Sequence, residues 1–140
     1  MTEADDPHTG AALPRHEART RALEALFAAD VRDVPVDRVL EGAGWLDEFT
    51  ERLLDTVAAH RDEIDALIRE RARGWSLERM PVVDRNVLRL GLAELLYVED
   101  VPPRVAIDEA VELVKTLSTD SSSSFVNGIL AAVATDRGLL

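Results

Sequence analysis

Two arginines near the start of the chain have the spacing needed to follow a phosphate backbone. Arg15 and Arg19 are four residues apart, so on a helix both side chains lie on one face, one turn from each other. A guanidinium group forms paired hydrogen bonds with phosphate oxygens and also stacks on aromatic rings and bases. The spacing therefore allows both arginines to face one phosphate track.

A second stretch of interest, SSSSFVNGIL at residues 121–130, sets four serines directly before an aromatic residue. The last helix is predicted to follow the serines. Phe125 would then share a helical face with Ile129 and Val133, which favours packing in the core. At the first turn of a helix it would instead be half-exposed, beside serine hydroxyls and backbone amides that suit phosphates or base edges. The serines also suit redundant N-caps. The residues alone leave both interpretations of Phe125 open, and Asn127 suits structural hydrogen bonding and ligand contact equally.

A third candidate group lies on the strongly apolar helix predicted after Pro81. Arg85 and Arg89 are one turn apart on its least apolar side, where they could pair with the acidic segment 33–70 or face a ligand. Glu94 falls within the apolar stripe of the same helix. We expect a buried structural carboxylate there rather than a catalytic one.

The residue types give little support for an enzyme. The three histidines, His8, His16 and His60, have no partner at metal-binding spacing, and the chain contains no cysteine. The glycines are scattered singly, so no phosphate-cradling loop is predicted. We therefore predict a protein that is not an enzyme and needs no metal or cofactor.

The negative net charge is distributed unevenly along the chain. A formal net charge of −11 argues against nonspecific nucleic-acid binding. Residues 15–32 nevertheless carry four Arg against three acids, and residues 71–97 carry five Arg against three acids. Residues 33–70 hold four Arg against eleven acids, which is typical of a solvated face. The basic character thus lies in the two stretches that contain the candidate arginines.

The hydrophobic spacing predicts an all-α fold. Residues 1–14 are acidic and have few apolar side chains, so we expect a disordered tail without a signal peptide. From residue 15 to residue 140 we expect one compact domain of about six or seven helices, with a break near His60. No segment has the roughly 18 apolar residues of a membrane span, so a cytoplasmic protein is expected.

Four segments together resemble the NusB family of bacterial transcription antitermination proteins. They are RHEARTRALEALF (15–27), VVDRNVLRLGLAELLY (82–97), VPPRVAIDEAVELVK (101–115) and FVNGIL (125–130). The resemblance covers essentially everything after Pro14, in the family's order and spacing. Its most specific part is the run VAIDEAVELVK followed by FVNG.

The resemblance implies a NusB-like helical protein without a cofactor that binds single-stranded boxA RNA of ribosomal RNA leader transcripts. It would do so with NusE, a small-subunit ribosomal protein, within the complex that keeps RNA polymerase elongating. The RNA-binding positions carried over are Arg15, His16, Arg19, Phe27, Arg89, Phe125 and Asn127. The partner-binding positions are Asp84, Arg85 and Ser121. His16 and Glu17 stand where close relatives can carry further arginines, which weakens the electrostatic attraction of RNA. Ser121 stands where some relatives have an acid.

Two other interpretations stay open on the sequence. The chain could be a NusB-like interaction module that homodimerises and binds RNA weakly, as the net charge and the reduced number of arginines would favour. A NusB-like domain also precedes the catalytic domain of an rRNA cytosine methyltransferase. Because the chain stops at Leu140, we expect the free-standing factor instead.

Overall fold

The computed structural model describes residues 13–140, which form seven α-helices. These are α1 (Arg15–Arg32), α2 (Val36–Leu40), α3 (Glu48–Ala59), α4 (Arg61–Arg71), α5 (Val82–Tyr97), α6 (Pro103–Leu117) and α7 (Asp120–Asp136). A single 3-10 turn, Leu77–Arg79, precedes α5, and no β-strand occurs within this part of the chain. The predicted all-α class and helix number are confirmed. Residues 1–12 of the predicted acidic tail lie outside the described residues, so the division at residue 14 stays a prediction.

The described chain forms two compact units that divide after Asp55. The first contains α1, α2 and the first turns of α3. One face of α1 supplies a core of small and branched side chains: Ala18, Ala22, Leu23, Ala25, Leu26 and Ala29. The Thr50 hydroxyl of α3 donates a hydrogen bond to the Ala18 carbonyl at 3.2 Å. This bond ties the start of α3 to the buried face of α1.

The second unit, Thr56–Leu140, is built around α5. Eleven of the sixteen residues of α5 are buried, as expected for a helix that is apolar around most of its circumference. It packs against α4, α6 and α7. A Cβ placed on Gly91 would lie 3.1 Å from the Leu130 Cδ1 and 3.2 Å from the Ala110 Cβ. Glycine at position 91 therefore allows α6 and α7 to approach α5 closely.

The predicted break near His60 is confirmed. His60 separates α3 from α4 with non-helical backbone angles, φ −120° and ψ 20°. Its imidazole stacks on the ring of Tyr97 at the end of α5, with centroids 3.6 Å apart and an interplanar angle of 6°. The Tyr97 hydroxyl donates a hydrogen bond to the Glu63 carboxylate. These contacts join the beginning of α4 to the end of α5.

The serine run is helical, contrary to the prediction that the last helix follows it. Helix α7 begins at Asp120, and Thr119 is the N-cap because its hydroxyl accepts a hydrogen bond from the Ser122 amide at 3.1 Å. The four serines thus lie within the first turns of the helix. Phe125 lies in the second turn rather than the first.

No helix within residues 13–140 combines the length and the apolar character that a transmembrane segment needs.

Candidate nucleic-acid interface

The two predicted arginines of α1 share a face, but they differ in exposure. Arg15 is exposed, whereas Arg19 is only 3% exposed. Both guanidinium carbons lie over the ring of Phe49, at 4.2 Å from the centroid for Arg15 and 5.5 Å for Arg19. Both distances are within cation–π range. Of this pair, Arg15 is therefore the arginine that a ligand in solvent can reach.

The Phe49 ring is held in place by the beginning of α3. The Asp47 carboxylate accepts hydrogen bonds from the backbone amide of Thr50, at 3.0 Å, and from its hydroxyl. Asp47 thereby caps the helix in which Phe49 lies. Asp47 and Phe49 are both buried, so the aromatic surface under the arginines is fixed. Sequence reasoning missed Phe49, since an apolar residue on an amphipathic helix ordinarily indicates core.

The remaining predicted residues of α1 are exposed but widely spaced. His16 lies at the surface beside Arg15, and its carbonyl accepts a bond from the Thr20 hydroxyl at 3.2 Å. Phe27 is 39% exposed. It lies twelve residues beyond Arg15, or about 18 Å along the helix axis at 1.5 Å per residue. The structure therefore does not bring Phe27 next to the arginines.

Arg89 is held by contacts within the protein, and its predicted RNA contact stays a prediction. Its Nε lies 2.9 Å from Asp65 Oδ1 and its Nη2 lies 3.2 Å from Asp65 Oδ2, which makes a two-point ion pair. Its Nη1 donates to Asn86 at 3.1 Å. Arg89 is 5% exposed, and Asp65 belongs to the acidic segment 33–70. The alternative ion-pair interpretation is confirmed for Arg89, which joins α4 to α5.

Arg85 and Asp84 are also engaged by the protein itself. Arg85 Nη1 donates to the carbonyls of Leu77 and Glu78, each at 3.3 Å, and so holds the 3-10 turn. Asp84 is 4% exposed. Their predicted roles as partner contacts stay predictions.

The carboxylate of Asp84 is surrounded by hydroxyl groups. Its Oδ1 accepts a hydrogen bond from Ser118 at 3.0 Å and its Oδ2 accepts one from Ser122 at 2.7 Å. The two serine hydroxyls are themselves 3.0 Å apart. Ser121 is exposed, with its hydroxyl 3.0 Å from that of Thr119. Asp84 thus links α5 to the junction of α6 and α7.

Phe125, in the second turn of α7, is neither fully buried nor fully exposed. Phe125 is partly exposed, as expected for a ring with one edge in the core, and Asn127 is exposed. The structure places Phe125 at the same cleft as Trp75, an indole that is 54% exposed in the segment between α4 and the 3-10 turn. Both rings line a cleft of about 710 Å³. Sequence reasoning did not single out Trp75, although a large aromatic residue beside Gly74 in a loop was a possible signal.

No set of three or more metal-ligating side chains comes together in the part of the chain that the structure describes. The functional groups of these surfaces are arginines, hydroxyl groups and exposed aromatic rings. These groups bind phosphates and unstacked bases.

The fold and these surfaces define an all-helical protein with side chains of the kind that contact single-stranded nucleic acid. The chain belongs to the NusB family, whose model matches residues 16–135. The transcription antitermination protein NusB of Thermobifida fusca (strain YX) is 52% identical over 122 residues, which are 84% of this chain and 86% of that protein. The family resemblance predicted from the sequence is confirmed.

Two solved structures are similar to the whole fold. One is NusB of T. maritima, with a TM-score of 0.81 and 38% identity over 89% of this chain and 93% of that one. The other is from a crystal structure of the antitermination factors NusB and NusE in complex with dsRNA. Its TM-score is 0.75 at 32% identity, and the match covers 87% of this chain and 96% of that one.

Proposed function

We propose that this chain is a transcription antitermination factor that binds boxA RNA of ribosomal RNA leader transcripts together with NusE. The observation that carries the proposal is the 52% identity to a transcription antitermination protein NusB over 84% of the chain. The similar structure of NusB and NusE with dsRNA supports NusE as the protein partner and RNA as the ligand. The chain would act in the cytoplasm, without a catalytic step or a cofactor, as part of the complex that keeps RNA polymerase elongating.

In the first unit, Arg15 is the proposed phosphate contact. Its guanidinium is exposed but held over Phe49, so it loses little conformational freedom when a phosphate arrives. Arg19, behind it, adds positive charge from a buried position. His16 is the proposed neighbouring contact, and Phe27 offers a separate exposed ring further along α1.

In the second unit, Phe125 and Asn127 are the proposed contacts with bases. Phe125 presents part of its ring beside Trp75, and Asn127 presents an exposed amide one residue after the buried Val126. Asp84, Arg85 and Ser121 are the proposed partner-binding positions. Since Asp84 is buried, its contribution would be to hold the α6–α7 junction in shape.

One observation favours the homodimeric alternative. Phe27 and Val31 are one helical turn apart on α1 and are 39% and 58% exposed. A second copy of the chain could cover this apolar strip and would then compete with RNA for α1.

Native mass spectrometry distinguishes these two functions. The protein is mixed with purified NusE and a short single-stranded boxA RNA, and the masses of the complexes are recorded. The proposal predicts a complex of one chain, one NusE and one RNA. A homodimer that persists in the presence of NusE and RNA, with no heteromeric species, would overturn it.

A further inference from the structure

Asp47 carries a buried negative charge at a position where helix capping alone does not require one. It is 1% exposed and is the N-cap of α3, because its backbone carbonyl accepts a hydrogen bond from the Glu51 amide at 3.0 Å and its carboxylate accepts one from the Thr50 amide. Serine or asparagine would satisfy the same amides without burying a charge, which is costly unless the charge is paired. The charge of Asp47 therefore points to a role beyond the cap.

Arg21 of α1 supplies the balancing positive charge. Its Nη1 lies 3.6 Å from Asp47 Oδ1, and its Nη2 donates a long hydrogen bond to the Trp45 carbonyl at 3.4 Å. Its guanidinium carbon also lies 5.7 Å from the centroid of the Trp45 ring, within cation–π range. Arg21 thus joins both the cap of α3 and the end of the preceding loop to α1.

The first turn of α3 is held by α1 on two flanks. On one flank Arg15 lies over the Phe49 ring, with 4.2 Å between its guanidinium carbon and the ring centroid. At about 100° per residue, Arg21 lies about 120° away around the helix axis, and Ala18 lies midway between the two directions. The Thr50 hydroxyl donates to the backbone carbonyl of Ala18. The turn that carries Phe49 is therefore held between Arg15 on one flank and the contacts of Arg21 on the other.

We propose that Asp47, held by Arg21, is a positioning residue for RNA binding, which acts through Phe49 and Arg15 and does not touch RNA itself. This inference rests on the proposed function and concerns how its exposed arginine is held. A negative charge near a phosphate contact would by itself repel RNA. Asp47 can favour RNA binding only by keeping the ring and the guanidinium above it in place, so that Arg15 loses less side-chain freedom when a phosphate arrives.

Asp47→Asn separates this role from capping and from simple charge. Asparagine keeps the N-cap acceptor but removes the ion pair with Arg21. If Asp47 acted only as a cap, or only as a nearby negative charge, RNA would bind to Asp47→Asn as tightly as to the parent or more tightly. The positioning role predicts the opposite sign. We expect the affinity to fall roughly fivefold, the upper end of what a partly exposed ion pair contributes.

Fluorescence anisotropy of a labelled single-stranded boxA RNA, titrated with the full chain, measures these affinities. Glu51→Gln is the matched control, because it removes the same charge from an exposed position one turn further along α3. It should bind RNA at least as tightly as the parent does. In an Arg15→Ala background, Asp47→Asn should have little further effect on RNA affinity, since the arginine through which it acts is absent.

Arg21→Gln disrupts the same pair from α1 and leaves the cap of α3 intact. It should weaken RNA binding more than Arg32→Gln does, which removes an exposed positive charge from the last turn of α1. Circular dichroism verifies that each variant is folded. If Asp47→Asn does not fold, the comparison of Arg21→Gln with Arg32→Gln decides the question, and equal losses in these two variants would contradict the positioning role.

Three results would overturn the inference. RNA affinity that is unchanged or higher in Asp47→Asn, with RNA bound by the parent, would remove the positioning role and leave the proposed function intact. An equal loss with and without Arg15→Ala would show that Asp47 serves the fold alone. Absence of RNA binding by the parent would overturn both proposals.

Discussion

Arg15 and Phe49 show how a buried ring can position an exposed arginine. The spacing of Arg15 and Arg19 predicted a shared face, and this is what the structure has. The sequence did not predict that Arg19 would be 3% exposed, because burial of a charged residue depends on a ring thirty residues away. The position of the guanidinium over Phe49 is a tertiary feature that one-dimensional spacing does not contain.

Phe49→Leu should weaken RNA binding several-fold while the protein stays folded. Leucine keeps the apolar contact but removes the quadrupole that holds the two arginines. If one phosphate contact is lost, the slope of log affinity against log salt should fall by about 0.7. Fluorescence anisotropy across a salt series measures the slope, and Phe49→Tyr should restore it. An unchanged slope in Phe49→Leu would contradict the positioning role.

Tyr97 is a second residue whose behaviour depends on its surroundings. Burial, followed by the hydrogen bond to Glu63, raises the pKa of Tyr97 from its ordinary value of 10 to about 12. A raised pKa means that the folded state keeps the proton when the unfolded state loses it. The stability that this supplies is complete below pH 10 and is lost as the pH rises through about 12.

Tyr97 is the only tyrosine, so ultraviolet absorbance of the phenolate follows it alone. We expect a midpoint near pH 12 in the native protein and near pH 10 in denaturant. Glu63→Gln should lower the native midpoint by less than the full difference, because burial is the larger cause. A native midpoint near 10 would show that Tyr97 is not in the environment described.

At the scale of elements, hydrophobic spacing predicted the helices well and their junctions less well. The break at His60 was visible because polar residues interrupt the apolar stripe there. The start of α7 was misplaced because a serine run resembles a linker, whereas Thr119 caps the helix before the run. The hydroxyls of Ser118 and Ser122 also meet Asp84, 34 and 38 residues away, which no local pattern indicates.

Arg89→Met should destabilise the second unit by about 3 kcal/mol, because it leaves the Asp65 carboxylate buried without its two-point partner. This loss is at the low end of the range for breaking a buried ion pair, because Arg61 also contacts Asp65, at 3.1 Å. The double variant Arg89→Met with Asp65→Leu should recover much of the loss. Urea denaturation measures all three proteins. A loss below about 1 kcal/mol in the single variant would contradict a stabilising role for the pair.

For the whole molecule, the uneven charge matters more than the total. The chain is acidic overall at −11, yet its arginines concentrate in the stretches that supply α1 and α5. The fold class followed from helical periodicity alone, and the family followed from long motifs in their proper order. The proposed binding surfaces depend on pairs of distant residues, of which Trp75 with Phe125 is the clearest case. Those pairs are set by helix packing and could not be derived from spacing.

The central claim is that this chain binds boxA RNA with NusE. Fluorescence anisotropy of a labelled single-stranded boxA RNA tests it most directly, when the RNA is titrated with the protein alone and with NusE at two salt concentrations. We predict binding that becomes tighter with NusE and weaker at the higher salt, as expected for phosphate contacts. No binding in either condition, or binding that neither NusE nor salt affects, would contradict the account.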